Sequence, residues 1–153
     1  MIRYELAAFP GCTVAGLSAV PGSVSVDEAT GARWLHHAPG RWLVWAPEGG
    51  AGLSSPPVTA MDAVAAGTAV WFDAGGKYHR FSFEAEAGRA VLSSTVNLDA
   101  VLSAGRECAA VALFDCPAVL LRSSNGFLVW VTTSHVADFT AATERAAHIC
   151  AKL

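Results

Sequence analysis

The stretch VLLRSSNGFLVWVTTSHVADFTAATERAAHIC, residues 119–150, holds two short apolar runs, a tight turn and an amphipathic segment. VLLRSS and FLVWVTT flank Asn125-Gly126, the strongest short hairpin signal in the chain, because that dipeptide accepts the backbone of a primed two-residue turn. After Ser134, a good N-cap residue, the residues Val136, Phe139, Ala142, Ala146 and Ile149 recur at spacings of three and four. That spacing makes one apolar helix face, with Asp138, Glu144, Arg145 and Lys152 elsewhere around the axis. A helix of about sixteen residues spans roughly 24 Å, enough to cover one face of a small sheet.

The same arrangement has an echo upstream. RWLHHAPGRWLVWA (33–46) reads as a hairpin turning at Pro39-Gly40, and VTAMDAVAAG (58–67) as a short helix closed by Gly67. Between the two hairpin–helix units the pattern predicts strands at about 69–73 and 78–84 around the turn AGGK (74–77). It then predicts a short helix over 86–94 and the strand pair CAAVALFD (108–115) and AVLLRSS (118–124), separated by Cys116-Pro117. PEGGAGLSSPP (47–57) is predicted to be a loop. The fold class that follows is α+β, an antiparallel sheet or sheets with helices packed on one side. Residues 1–30, punctuated by Pro10, Gly11, Pro21 and Gly22, are predicted irregular apart from β-like runs such as SVSV (23–26). Residues 31–153 are predicted to form one domain.

Of the 153 residues, 53% are hydrophobic and 15% charged, against roughly 25% charged in an average soluble domain. Much of the hydrophobicity is alanine, which buries little area, but the deficit of charge remains. The chain carries five tryptophans, a residue enriched at protein–protein interfaces. A compact monomer with a tryptophan-lined core is the plain account. The thin charge favours a subunit that hides part of its surface, with Trp34, Trp45 and Trp71 as candidate partner contacts.

A net charge of −3 without a basic stripe argues against nucleic-acid binding, which needs clustered Lys and Arg. No apolar run approaches the roughly 18–20 residues that span a bilayer, and the first residues lack an apolar signal-peptide core. A cytoplasmic protein is predicted. Cys12, Cys108, Cys116 and Cys150 form no C-x-x-C and are read as thiols serving as small hydrophobes.

Chemistry is sparse. His36 and His37 are adjacent on a strand, so they point to opposite faces, and no further zinc ligands fall at recognisable spacing. DAGGK (73–77) lacks the earlier glycine and the following Ser or Thr of a phosphate loop, and a hairpin turn explains it. Gly49–Gly52 (GGAG) has the wrong spacing for a dinucleotide fingerprint. Cys116 has Asp115 and apolar neighbours, which raise a thiol's pKa. Glu84 and Glu86 read as a solvated strand end. TVNLD (95–99) is the one polar cluster in a sensible place, just after a helix, and Asn97 and Asp99 are either turn-formers or ligand contacts.

From Ala69 onward, and in RWLVWAPEG (41–49), the order of elements and several residues resemble the gamma subunit of heterotetrameric sarcosine oxidase. This family is in turn similar to part of the folate-binding aminomethyltransferase of the glycine cleavage system. The likeness runs through FDAGGKYHRFSFEAEAGRAVLSSTVNLD and FLVWV to the closing helix. It implies an aminomethyltransferase-like fold and a subunit of an oxidoreductase complex, with no catalytic residue, cofactor or metal of its own. The implied partners are alpha, beta and delta subunits that hold FAD, FMN, NAD, tetrahydrofolate and a zinc ion. The complex would oxidise an N-methyl amine such as sarcosine and pass the one-carbon unit to tetrahydrofolate. In the aminomethyltransferases an Asn-Asp pair lies near this helix end. Here Leu98 separates Asn97 from Asp99, so that role does not carry over. The alternative is a stand-alone folate-binding or one-carbon-transfer module of the same fold.

Overall fold

The structure is a computed structural model and describes residues 1–28, 30–46, 58–103 and 105–152. The expected loop at 47–57, with Gly49–Gly52, lies outside the described residues. The chain divides into two compact units, Met1–Lys77 and Tyr78–Leu153.

The first unit is a five-stranded antiparallel sheet. Its strands are β1 (Ile2–Ala8), β2 (Val24–Val26), β3 (Arg33–Ala38), β4 (Arg41–Trp45) and β5 (Ala69–Asp73), in the order β2-β3-β4-β1-β5. The expected hairpin at 33–46 is β3 and β4, and Gly40 supplies the left-handed residue of its turn at φ +66°. Residues 1–30 are not irregular throughout, contrary to the sequence reading. Ile2, Tyr4 and Leu6 alternate with Arg3, Glu5 and Ala7, and β1 lies between β4 and β5, pairing Leu6 with both Trp42 and Trp71. Nor is there a boundary at residue 30, since β1 and β2 belong to the same sheet as β3 and β4.

One face of this sheet carries Tyr4, Leu6, Trp34, Trp42 and Val44, and the helix α1 (Val58–Ala65) packs on it through Ala60 and Ala63. Alanine on the packing side lets a helix approach closely. The larger apolar residues of α1, Val58, Met61 and Val64, point outward instead. The helix ends where expected: Gly67 takes φ +74°, and its N–H donates to the Val64 carbonyl at 3.0 Å.

The second unit is a four-stranded antiparallel sheet of β6 (Tyr78–Glu84), β7 (Cys108–Leu113), β8 (Cys116–Ser123) and β9 (Gly126–Thr132), ordered β6-β9-β8-β7. Its helices are α2 (Ala85–Ser93), α3 (Leu98–Val101) and α4 (Val136–Cys150). Two local readings change. The segment 74–77 is not a hairpin turn, because β5 pairs with β1 in the first sheet and β6 with β9 in the second. Cys116-Pro117 is not the turn between β7 and β8 but opens β8. The turn is made by Phe114 and Asp115, at φ 51° and 63°, the positive pair that a tight antiparallel connection needs. α4 also starts later than Ser134 suggests: Thr133–His135 form one 3-10 turn, and no side chain caps the helix that follows.

Phe139 of α4 holds this unit together. It is fully buried, with ring centroids 4.7 Å from Phe81, 6.4 Å from Phe83 and 6.0 Å from Phe114, all tilted or edge-on, the geometries aromatic pairs favour. Leu92, Leu113, Leu120, Val129 and Val131 complete the cluster. Gly126 permits a close approach, since a Cβ there would sit 2.0 Å from the Phe83 carbonyl oxygen. Replacing Phe139 with Ala should destabilise the protein by about 3–5 kcal/mol. Denaturant titration followed by circular dichroism checks this. A loss below about 1 kcal/mol would show that α4 is held by other contacts.

Candidate functional site

The polar segment 95–99 follows α2 and is organised by its own hydrogen bonds. The Asn97 side chain caps α3, its oxygen accepting the Ala100 N–H at 3.2 Å. Thr95 Oγ1 accepts the N–H of Phe114, the strained turn residue, at 2.8 Å. Asp99 pairs with Arg89 at 3.0 Å on an exposed surface, a contact of small energetic weight. With Ser93 and Ser94, these residues line an open concavity of ≈ 450 Å³. Asn97 and Asp99 are thus brought to one concavity, but the Asn97 oxygen and the Asp99 charge already have structural partners.

The two histidines occupy different settings. A bulge at His37 interrupts the β3–β4 ladder, where His36 pairs with Trp42 but Ala38 with Arg41. His36 is 1% exposed and stacks on Trp42, with centroids 4.5 Å apart at 19°. Among the described residues, neither of its ring nitrogens has a hydrogen-bond partner of good geometry. Burial holds its imidazole below the ordinary range. The backbone of Val20 and Ala38 pulls the other way, without closing to a bond of good geometry. His37 is pushed down to about 4, first by burial, then by Arg41; Glu5 opposes the shift and His36 adds slightly to it. Among the described residues no group of three or more His, Cys, Asp or Glu could hold a metal ion.

DAGGK is a connection stabilised by local bonds. Asp73 Oδ1 accepts the Gly75 N–H at 2.8 Å, and Lys77 Nζ donates to both Glu5 oxygens at 2.9 and 3.1 Å. Cys116 is buried. Burial first, then Asp138 and Asp115, raises its thiol above the ordinary value, which removes it from nucleophilic use at neutral pH. Burial, helped by Glu107, pushes Cys108 up to about 12. Cys12 is exposed and Cys150 half-buried, both as free thiols. Glu84 and Glu86 are exposed where β6 runs into α2. No helix among the described residues is long and apolar enough to cross a membrane.

No family model and no curated protein matches this chain in sequence. Among solved structures, a chain of heterotetrameric sarcosine oxidase from Corynebacterium sp. U-96, in complex with pyrrole 2-carboxylate, superposes with a TM-score of 0.74. The fold is that of a sarcosine oxidase chain. The superposition covers 97% of this chain and 80% of that one, at 21% identity. The likeness therefore spans both units.

Trp34, Trp45 and Trp71 differ in how much surface they present. Trp34 is 3% and Trp45 7% exposed, while Trp71 is half-buried with its ring 4.4 Å from that of Tyr4. Trp42 and Trp130 are buried as well. Large apolar residues do reach the surface on α1, where Val58 is 72% and Met61 53% exposed, and on β5 at Phe72. Val58, Met61 and Val64 recur every third residue while the alanines at 60 and 63 fall on the other side, so the outward row was present as a pattern in the sequence.

Because His36 and His37 are held neutral, the unfolded chain takes up protons that the folded chain refuses. Their contribution to stability is complete above about pH 6.5, the unperturbed value. It is lost as pH falls, for His37 down to about 4. Melting temperature should therefore decline between these limits. His37→Gln should flatten the decline, and an unchanged acid slope in that variant would contradict the assignment.

Proposed function

We propose that this chain is a non-catalytic small subunit, of the gamma type, in a heterotetrameric flavoenzyme that oxidises an N-methyl amine such as sarcosine. The observation that carries this reading is the likeness of fold to a sarcosine oxidase chain over nearly the whole length. Its alpha, beta and delta partners hold the NAD, FAD, FMN and zinc. The one-carbon unit passes to tetrahydrofolate on a partner, and the chain itself keeps an aminomethyltransferase-like fold as a support piece. The low charge and the outward apolar row on α1 agree with a chain that others cover. Co-expression with amine-oxidase alpha, beta and delta subunits should yield a yellow complex containing this chain. Met61→Glu, at an exposed position, should lower its share of the complex at least several-fold without unfolding it. A soluble, colourless monomer that captures no flavoprotein would refute the proposal.

A second reading, a stand-alone folate-binding module, draws on the concavity lined by Asn97 and Asp99. Titration with tetrahydrofolate, followed by tryptophan fluorescence, separates the two. Saturation at sub-millimolar ligand, abolished in Asp99→Asn, would favour the module; the support role predicts no saturable change.

A further inference from the structure

Beneath residues 12–19 the first unit contains a cavity of ≈ 70 Å³. Its lining includes Cys12, Thr13, Leu17, Ser18, His36 and Trp42. His36 is buried to within 1% of its surface, and among the described residues neither ring nitrogen has a hydrogen-bond partner of good geometry, the Val20 and Ala38 backbones acting on it only weakly. A neutral imidazole offers one donor and one acceptor, and leaving both unmet in a buried site costs free energy that a suitable guest returns. The Ser18 hydroxyl accepts the Val20 N–H at 3.1 Å and keeps its own proton to donate. Thr13 adds a second hydroxyl, and Leu17 and the Trp42 ring supply apolar wall. Among the described residues no charged side chain lines the cavity, so an ion entering it would lose hydration without a counter-charge from them.

We propose that this cavity is a binding site for a small uncharged molecule that both donates and accepts hydrogen bonds, the chemistry of a short primary amide. At ~10–15 Å³ for each water-sized position, the volume holds about five to seven such positions, room for a guest the size of acetamide. His36 grips its polar end, the hydroxyls of Thr13 and Ser18 flank it, and Leu17 and Trp42 receive the methyl end. The site uses no residue assigned to partner or folate contact, so it stands apart from the proposed subunit role.

Acetamide is the probe, titrated into the full chain labelled with 15N-histidine, with acetate and acetamidinium as charged controls of similar shape. The expected result is a saturating shift of both His36 ring nitrogens with acetamide and at least tenfold weaker effects from either ion. His36→Phe should abolish saturation in the cross-peaks of residues 12–19 and 42. Ala19→Trp, at an exposed position of the cavity lining, plugs the site while leaving His36 in place, and should abolish the shift even where the phenylalanine variant fails to fold. A response linear in acetamide up to molar concentration, or equal saturation by acetate, would overturn the proposal.

Discussion

The first sheet depends on the backbone pairing of a single strand. β1 bonds to β4 along one side and to β5 along the other, so without it the β2-β3-β4 meander and β5 share no edge. Its partners lie some forty and sixty-five residues further along, and closing such loops costs entropy before any bond is formed. What repays that cost is the burial of Tyr4 and Leu6 against Trp42, Trp71 and the alanines of α1, while a register shift after Ile2 pairs that residue with Trp45 instead. Tyr4 and Leu6 thus sit at the centre of a core otherwise drawn from residues 14–69.

Local signals in the sequence were legible wherever they were complete within a few residues. Pro39-Gly40, Gly67 and Asn125-Gly126 mark turns or ends that exist, and the hairpin–helix units around them are real. The failures were non-local. The strand pattern of β1 was present in the alternating residues, but its partners are distant and Pro10-Gly11 follows at once, so nothing nearby declared it. Two adjacent strands around AGGK suggested a hairpin, because sequence neighbours usually pair. Here the chain leaves one sheet and enters another. At Cys116-Pro117 the proline drew the turn toward itself, whereas Phe114 and Asp115 take left-handed backbone that their side chains would not advertise.

The residues that looked chemical in the sequence have structural work. Asn97 caps a helix, Lys77 pairs with Glu5, and Cys116 lies under apolar cover beside two carboxylates. Enrichment of tryptophan at interfaces is a statistic over surfaces, while in this chain Trp34 and Trp42 fill a core whose other members include several alanines, and Trp71 packs half-buried at its edge. The orphaned ring of His36 had no sequence signal at all, since it arises from a loop closing over the sheet.

The order of the strands along the chain also bears on how the protein is made. Every strand of the first sheet precedes residue 78, and every strand of the second follows residue 77. Translation therefore delivers one complete set before starting the next. Nascent β1 must remain unpaired on the ribosome until β4 emerges, but it never has to wait for the second set. Exposure of Ile2, Tyr4 and Leu6 can end before the second set has left the exit tunnel.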